Sequence, residues 1–266
     1  MNPALVCVLG PSGRMGRALL DASAGRTDVR ISAAVDREDA PALGNRVNEG
    51  SGAGVEVSAD LRAGFLISEV YIDFTTVSST VAAARLATEL AKPAVIGTTG
   101  LSAEDEIALE GLAKVAPIVV ASNFSLGVNL LVGLVTKAAA VLGPTWDAEV
   151  VETHHRAKRD APSGTALTLA KAIAAGHGSS YAEMHRHGRD GDVGPRPQGE
   201  IGVHAVRGGD VIGEHTVSLY GAGERIELSH RATSRSIFAA GALRAAAWVK
   251  DQPPGRYDML DVLGLR

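Results

Sequence analysis

The sequence predicts an α/β protein. A Rossmann-type, doubly wound parallel sheet is followed by a second α+β domain with a mixed or antiparallel sheet. Three observations predict it. Short apolar runs alternate with Ala-rich helical stretches over the first 125 residues. Those runs are apolar on both faces, as in Leu5-Val6-Cys7-Val8-Leu9 and Ile118-Val119-Val120-Ala121. That suits a sheet covered by helices on both sides. Beyond residue 126 the rhythm changes to polar–apolar alternation of period two, the mark of an antiparallel sheet with one buried face.

The elements follow in order. Ala4–Leu9 reads as a strand, Met15–Ala24 as a helix and Val29–Val35 as a second strand. Val70–Phe74 is a third strand, with a helix from Ser79 to Leu90 behind it. Pro93–Ile96, a helix from Ala103 to Lys114, and Pro117–Ala121 complete the parallel series. A helix from Gly127 to Leu142 then precedes a strand, Asp147–His154. Ser163 is placed to cap a helix running to Ala175. Residues 176–199 hold six Gly and two Pro among polar residues and read as one long loop. Val211–Leu219 and Arg225–His230 alternate and are joined by Gly221-Ala222-Gly223. A last helix spans Ser236–Lys250. The expected division is residues 1–126, with 237–266 returning to them, as a dinucleotide-binding domain. Residues 127–236 form a substrate-binding and oligomerisation domain. A sheet with one open face wants a partner, so a homo-oligomer is expected.

The bulk numbers narrow the function. The 266 residues suffice for two modest cores. A formal charge of −4 speaks against a general nucleic-acid partner. The longest apolar stretch, Leu126–Gly143, carries Lys137, Asn129 and Thr136, so it reads as a core helix and no membrane partner is expected. Residues 1–9 lack the features of a signal peptide. The single cysteine, Cys7, lies in an apolar run and reads as a buried inert thiol, in keeping with a reducing cytoplasmic setting.

Gly10-Pro11-Ser12-Gly13-Arg14-Met15-Gly16 joins the first strand to the first helix. Glycines there permit a tight turn and close approach of a pyrophosphate, which the helix N-terminus then holds. The spacing is GxxGxxG, so context rather than the motif carries the reading. Asp36 ends the second strand about 20 residues further on, where an acid meets the adenosine ribose. Arg37 beside it suits a 2′-phosphate, so both NADH and NADPH are expected cofactors. Gly97-Thr98-Thr99-Gly100 and Ala121-Ser122-Asn123-Phe124 lie at the carboxyl ends of parallel strands, where ligands of such sheets bind.

The second concentration of chemistry is Glu152-Thr153-His154-His155-Arg156-Ala157-Lys158-Arg159-Asp160-Ala161-Pro162-Ser163-Gly164-Thr165-Ala166. Three readings of the paired histidines stay open. Zinc needs a third ligand at the right spacing, and none is evident, so no metal is expected. A structural histidine is the bland alternative. Acid–base work gains from Lys158, because a nearby cation lowers the proton affinity of an imidazole. Arg156 and Arg159 read as solvated flanks. Ser163, Gly164 and Thr165 open a helix whose N–H groups and hydroxyls suit a carboxylate. With His155 and Lys158 they describe a pocket for a small anion, a dicarboxylate.

At this point the residues resemble a known family, 4-hydroxy-tetrahydrodipicolinate reductase, also called dihydrodipicolinate reductase. The signature Glu-x-His-His-x-x-Lys-x-Asp-Ala-Pro-Ser-Gly-Thr-Ala stands intact from Glu152 to Ala166. Gly13-Arg14-Met15-Gly16, Asp73-Phe74-Thr75, Asn123–Asn129, Gly213-Glu214-His215-Thr216 and Ser234-Arg235 extend the likeness. The resemblance implies hydride transfer from NADH or NADPH to a cyclic unsaturated dicarboxylate in lysine and diaminopimelate biosynthesis. It implies His154 and Lys158 as proton-transfer residues, and His155, Gly164 and Thr165 as substrate-binding positions with Arg235 adding charge. It implies cofactor contacts at Gly10, Pro11, Ser12, Gly13, Arg14, Met15, Asp36, Arg37, Gly97, Thr98, Thr99, Ala121, Ser122, Asn123 and Phe124. It also implies a homotetramer. Pro11, Ser12 and Thr76-Val77 depart from the family's usual residues, which bears on cofactor preference rather than on the reaction. Two rivals remain: another nicotinamide oxidoreductase of similar plan, and a nucleotide-binding sensor without turnover. A phosphorylating semialdehyde dehydrogenase needs a catalytic thiol, and Cys7 in the first strand is badly placed for one.

Overall fold

The computed structural model describes residues 2–266. In chain order it contains β1 (Ala4–Leu9), α1 (Arg14–Ala22), β2 (Val29–Val35), β3 (Val57–Ser58), α2 (Leu61–Leu66), β4 (Val70–Asp73) and α3 (Val77–Leu90). Then come β5 (Ala94–Ile96), α4 (Ala103–Ala113), β6 (Pro117–Val120), α5 (Leu126–Leu142), β7 (Asp147–His154), α6 (Gly164–Gly176), α7 (Tyr181–Met184) and β8 (His185–His187). The chain closes with β9 (Ile201–Arg207), β10 (Gly213–Gly221), β11 (Glu224–Ala232), α8 (Ser236–Val249), β12 (Gly255–Tyr257) and α9 (Met259–Val262). It divides into two compact units, Met1–Leu126 with Ser236–Arg266, and Gly127–Arg235.

The first unit is built on a seven-stranded sheet in the order β12-β6-β5-β4-β1-β2-β3, with every pairing parallel. Alternate residues of its strands enter two separate cores. Val6, Val8, Ile72 and Val95 pack with Leu19 of α1 and Leu243 of α8. Cys7, Leu9, Tyr71 and Ile96 pack with Phe65, Ala84 and Leu109 from α2, α3 and α4. Each fully buried Leu, Ile or Val side chain contributes roughly 2 kcal/mol, which is why these strands are apolar on both faces. The strand order reverses between β1 and β4, the place where open α/β sheets bind their ligands. Cys7 is fully buried, and burial pushes its thiol up to about 12.

The second unit holds a five-stranded sheet, β11-β10-β7-β9-β8. β10 pairs antiparallel with β11 and β7, whereas β9 runs parallel to β7 and β8. One face packs Val150, Val203 and Val217 against Leu131 and Val135 of α5 and Leu169 and Ile173 of α6. On the opposite face Val151 and Val206 are 38% and 47% exposed. Ser163 caps α6 by accepting the Ala166 N–H at 3.2 Å.

The sequence reading needs correcting in places. The stretch 176–199 is not one loop, since it contains α7 and β8. β9 was not expected: Gly202 and His204 interrupt its apolar pattern, and it pairs parallel in a sheet otherwise patterned for hairpins. The short elements β3, α2, β12 and α9 leave no periodic signal long enough to read. Among the described residues no helix is long and apolar enough to cross a membrane.

Candidate active site

The first unit presents a cavity of about 640 Å³ at the carboxyl ends of β1 and β2. Its floor is the turn after β1. Gly10 adopts φ +66°, and its carbonyl accepts the Gly13 N–H at 3.0 Å. A Cβ on Gly16 would lie 2.1 Å from the Gly10 carbonyl oxygen and 2.6 Å from Pro11 Cα. Only glycine lets α1 begin so close to the strand. Gly16→Ala should therefore displace the turn and weaken NADH binding at least about tenfold, a loss of about 1.4 kcal/mol. Fluorescence titration of reduced cofactor checks this.

The N-cap of α1 is Gly13, which makes no side-chain cap, and the first turn carries no acid. The positive end of the helix is thus left for an anion such as a pyrophosphate. Asp36 follows β2. Its Oδ2 accepts the Ser12 N–H at 3.2 Å, and its Oδ1 accepts the Arg37 N–H at 2.9 Å. The Arg37 Nε meets Asp39 at 2.8 Å, both side chains being largely exposed. Glycines at the turn, an uncapped helix start and an acid across from them suit a dinucleotide.

Of the predicted cofactor positions, Gly10, Ser12, Gly13, Arg14, Met15, Asp36 and Arg37 line this cavity. Pro11, Gly97–Thr99 and Ala121–Phe124 do not. Thr98 is buried and accepts a hydrogen bond from Thr80 at 2.8 Å. Asn123 uses its Oδ1 to accept the Ser125 N–H at 2.8 Å. Phe124 is 1% exposed and packs edge-on against Phe74 at 5.2 Å, so its side chain belongs to the core. The sequence reading missed Phe74, Thr75, Thr76 and Ser79 as lining residues. Their signal was their position directly after the third parallel strand, beside the switch point.

The second unit gathers the histidine segment. Glu152 and His154 are two residues apart on β7 and so share a face. His154 Nδ1 lies 2.6 Å from Glu152 Oε2. Register places Arg207 of β9 beside His154, and His215 of β10 opposite Glu152. Arg207 grips Glu152 with two bonds of 2.8 Å, Nη1 to Oε2 and Nη2 to Oε1. Glu152 Oε1 also accepts the Ser163 N–H at 2.9 Å. The Ser163 hydroxyl reaches His215 Nε2 at 3.1 Å. One buried carboxylate therefore joins the end of β7, β9 and the start of α6.

The residues between β7 and α6 form a hook against the β9–β10 turn. The Gly208 N–H donates to the His154 carbonyl at 2.9 Å, and the His155 N–H donates to the Val211 carbonyl at 2.7 Å. Lys158 Nζ sits 2.9 Å from both oxygens of Asp160, and Arg207 Nη2 holds the Asp160 carbonyl at 2.7 Å. His155 and Thr165 are half-buried and Gly164 is exposed. Arg156, Arg159 and Arg235 are exposed, and Arg235 takes no part in these bonds. Ser163 is 2% exposed, with its N–H and hydroxyl both engaged internally. Among the described residues no three His, Cys, Asp or Glu side chains converge as a metal site.

Burial pushes the Glu152 carboxyl up. Hydrogen bonds from Arg207, His154 and the Ser163 N–H outweigh it and hold the group below the usual carboxylate range. Burial, then the neighbouring His154, depresses the His215 imidazole from 6.5 to about 4. The sequence reading names Glu152 and His215 without giving either a role, and it misses Arg207. Arg207 and His215 are neighbours only through sheet register, which the unrecognised β9 concealed.

Cationic groups and a helix start beside a buried imidazole suit a small anion, and the turn after β1 suits a dinucleotide. Comparison with known proteins agrees. The family model for the N-terminal part of dihydrodipicolinate reductase matches residues 4–124, and that for the C-terminal part matches residues 127–263. The chain is 47% identical to the 4-hydroxy-tetrahydrodipicolinate reductase of Beijerinckia indica, covering 100% of this chain and 99% of that one. It is 48% identical to the protein of the same name from Dinoroseobacter shibae, covering 98% of both. A dipicolinate-bound dihydrodipicolinate reductase from Paenisporosarcina sp. TG-14 superposes with a TM-score of 0.79 at 26% identity, over 97% of this chain and 98% of the other. By both halves and over its full length, the chain belongs to the dihydrodipicolinate reductase family.

Proposed function

We propose that this chain reduces 4-hydroxy-tetrahydrodipicolinate, by way of dihydrodipicolinate, to tetrahydrodipicolinate with NADH or NADPH. This is a step towards diaminopimelate and lysine. The observation that carries the reading is the buried Glu152–His154 pair, set beside Lys158 and the start of α6 in a full-length family member. The reduced nicotinamide supplies a hydride to C4 of the conjugated imine. The chain supplies the rest. His154 and Lys158 deliver the proton that completes the product. His155, with the first-turn groups of Gly164 and Thr165, receives the two carboxylates, and Arg235 adds positive charge. Ser163 serves by capping α6 and tying it to Glu152 rather than by touching the ring.

The unit built on the parallel sheet takes the cofactor, and the unit of Gly127–Arg235 takes the dicarboxylate and the subunit contacts. The exposed Val151 and Val206 on its open face suit a subunit interface; the assembly proposed is a homotetramer, which sedimentation equilibrium tests. The buried thiol of Cys7 suits a cytoplasmic enzyme. Asp36→Ala should raise the kcat/KM ratio of NADPH over NADH by about tenfold, the equivalent of about 1.4 kcal/mol. Unchanged kinetics with both cofactors would remove Asp36 from the ribose site.

The direct assay generates the substrate with the upstream synthase and follows the near-ultraviolet absorbance of the reduced cofactor. Its steady loss, dependent on that substrate, supports the reductase. Cofactor binding without turnover would instead indicate a nucleotide sensor.

A further inference from the structure

We infer that Glu152 is a positioning residue: it fixes a proton on Nδ1 of His154 and so leaves Nε2 as the one ring nitrogen that exchanges a proton with a ligand. The inference rests on the reading of His154 as a proton-transfer residue.

The argument begins with what Glu152 accepts. It is 0% exposed, and its two oxygens take Arg207 Nη1 and Nη2, the Ser163 N–H and His154 Nδ1. Those donors keep the carboxyl ionised despite its burial. An ionised carboxylate has no hydrogen to give. The 2.6 Å contact is therefore His154 Nδ1–H donating to Oε2. A neutral His154 then bears its lone pair on Nε2, and a charged one bears a transferable proton there.

Arg207 makes the switch workable. Its bidentate grip balances the Glu152 charge, so the pair is neutral whether or not His154 is charged. Without it the buried carboxylate would have only the imidazole as a cationic partner. His215, facing Glu152 from β10, is pushed to about 4 and adds no competing charge near neutrality. Gly213 keeps the approach to Nε2 open. A Cβ at this position would sit 3.0 Å from Nε2 and 3.4 Å from Cδ2. In the reaction the imidazolium loses its Nε2 proton to the ring that has received the hydride. It is left neutral, with Nδ1–H still on Glu152, and solvent reprotonates Nε2.

The test is the protonation pattern of the ring itself. The protein is labelled with ¹⁵N-histidine, and long-range ¹⁵N–¹H correlations are recorded above the histidine titration. The resonances of His154 are identified by their absence in His154→Gln. The wild type should show a pyrrole-type Nδ1 and a pyridine-type Nε2. The reverse pattern in the wild type overturns the inference. Glu152→Gln, whose amide can donate to Nδ1, should shift the pattern towards the other tautomer and lower kcat by roughly 10², the scale of a misoriented base. The KM for the cofactor should not move, and Glu152→Asp should recover part of kcat. An unchanged tautomer and kcat in Glu152→Gln also overturns the inference. Gly213→Ala should keep the wild-type tautomer while lowering kcat; full turnover would contradict the role of Nε2. Full turnover in His154→Gln would refute the functional reading instead, whatever the spectra show.

Discussion

His154→Gln is expected to lower kcat by roughly 10²–10⁴ while leaving the dissociation constant of NADH unchanged. The magnitude is that of a lost general acid. The cofactor cavity is lined by residues such as Gly10, Asp36 and Phe74, and His154 is not one of them. Gln fills much of the same volume and can still donate one hydrogen bond to Glu152 Oε2, the partner now 2.6 Å from Nδ1. It cannot carry a transferable proton on the opposite side of the group. The fold is therefore kept and the chemistry lost. Lys158→Ala should lose turnover as well, with a smaller structural effect, because its ammonium pairs with the exposed Asp160. Wild-type turnover in both variants would remove the proposed roles. Loss of NADH binding in His154→Gln would show a damaged protein rather than a damaged site.

Acidification should destabilise the protein by about 3 kcal/mol between pH 6.5 and pH 4 through His215 alone. The folded protein holds this imidazole at about 4 against an ordinary 6.5, chiefly because it is buried. The unfolded chain therefore binds the proton first. Stability is complete above pH 6.5 and is lost as the pH falls through that window. Glu152 acts in the same direction lower down, since its folded carboxyl also lies below the usual value. Urea unfolding at pH 7 and pH 4 measures the effect. His215→Gln retains a polar partner for the Ser163 hydroxyl, now 3.1 Å from Nε2, but does not titrate. Its stability should differ between the two pH values by about 3 kcal/mol less than that of the wild type. Equal slopes for the two proteins would contradict the assignment.

Much of this molecule is legible in its sequence for a physical reason. Strands buried on both faces are dominated by apolar residues, so β1 and β6 announce themselves as unbroken apolar runs, and β2 and β4 do so despite Arg30, Ser32 and Asp73. Ser163 signals a helix start because its hydroxyl replaces a missing acceptor. The turn at Gly10–Gly16 is readable because close approach admits only glycine there. What escapes is what register creates. Arg207 and His154 stand 53 positions apart and meet only because β9 lies beside β7, a parallel pairing with no hairpin to signal it. Phe124 shows another limit: its place after β6 suggests a ligand contact, and the sequence does not reveal that packing with Phe74 and α8 draws its ring into the core. Ser163 was read as part of a ligand cradle because cap and cradle use the same residue type, and only the bonds to Glu152 and His215 separate the two uses.

The most direct measurement follows one deuterium. The enzyme is supplied with freshly generated substrate and NADH deuterated at C4 of the nicotinamide, using each of the two stereochemical forms, and the product is analysed by mass spectrometry and NMR. One form should deliver its deuterium to ring C4 of tetrahydrodipicolinate, and His154→Gln should slow that transfer without changing where the label goes. Cofactor oxidation that leaves the product unlabelled with both forms, or label at another ring position, would contradict the proposed hydride transfer.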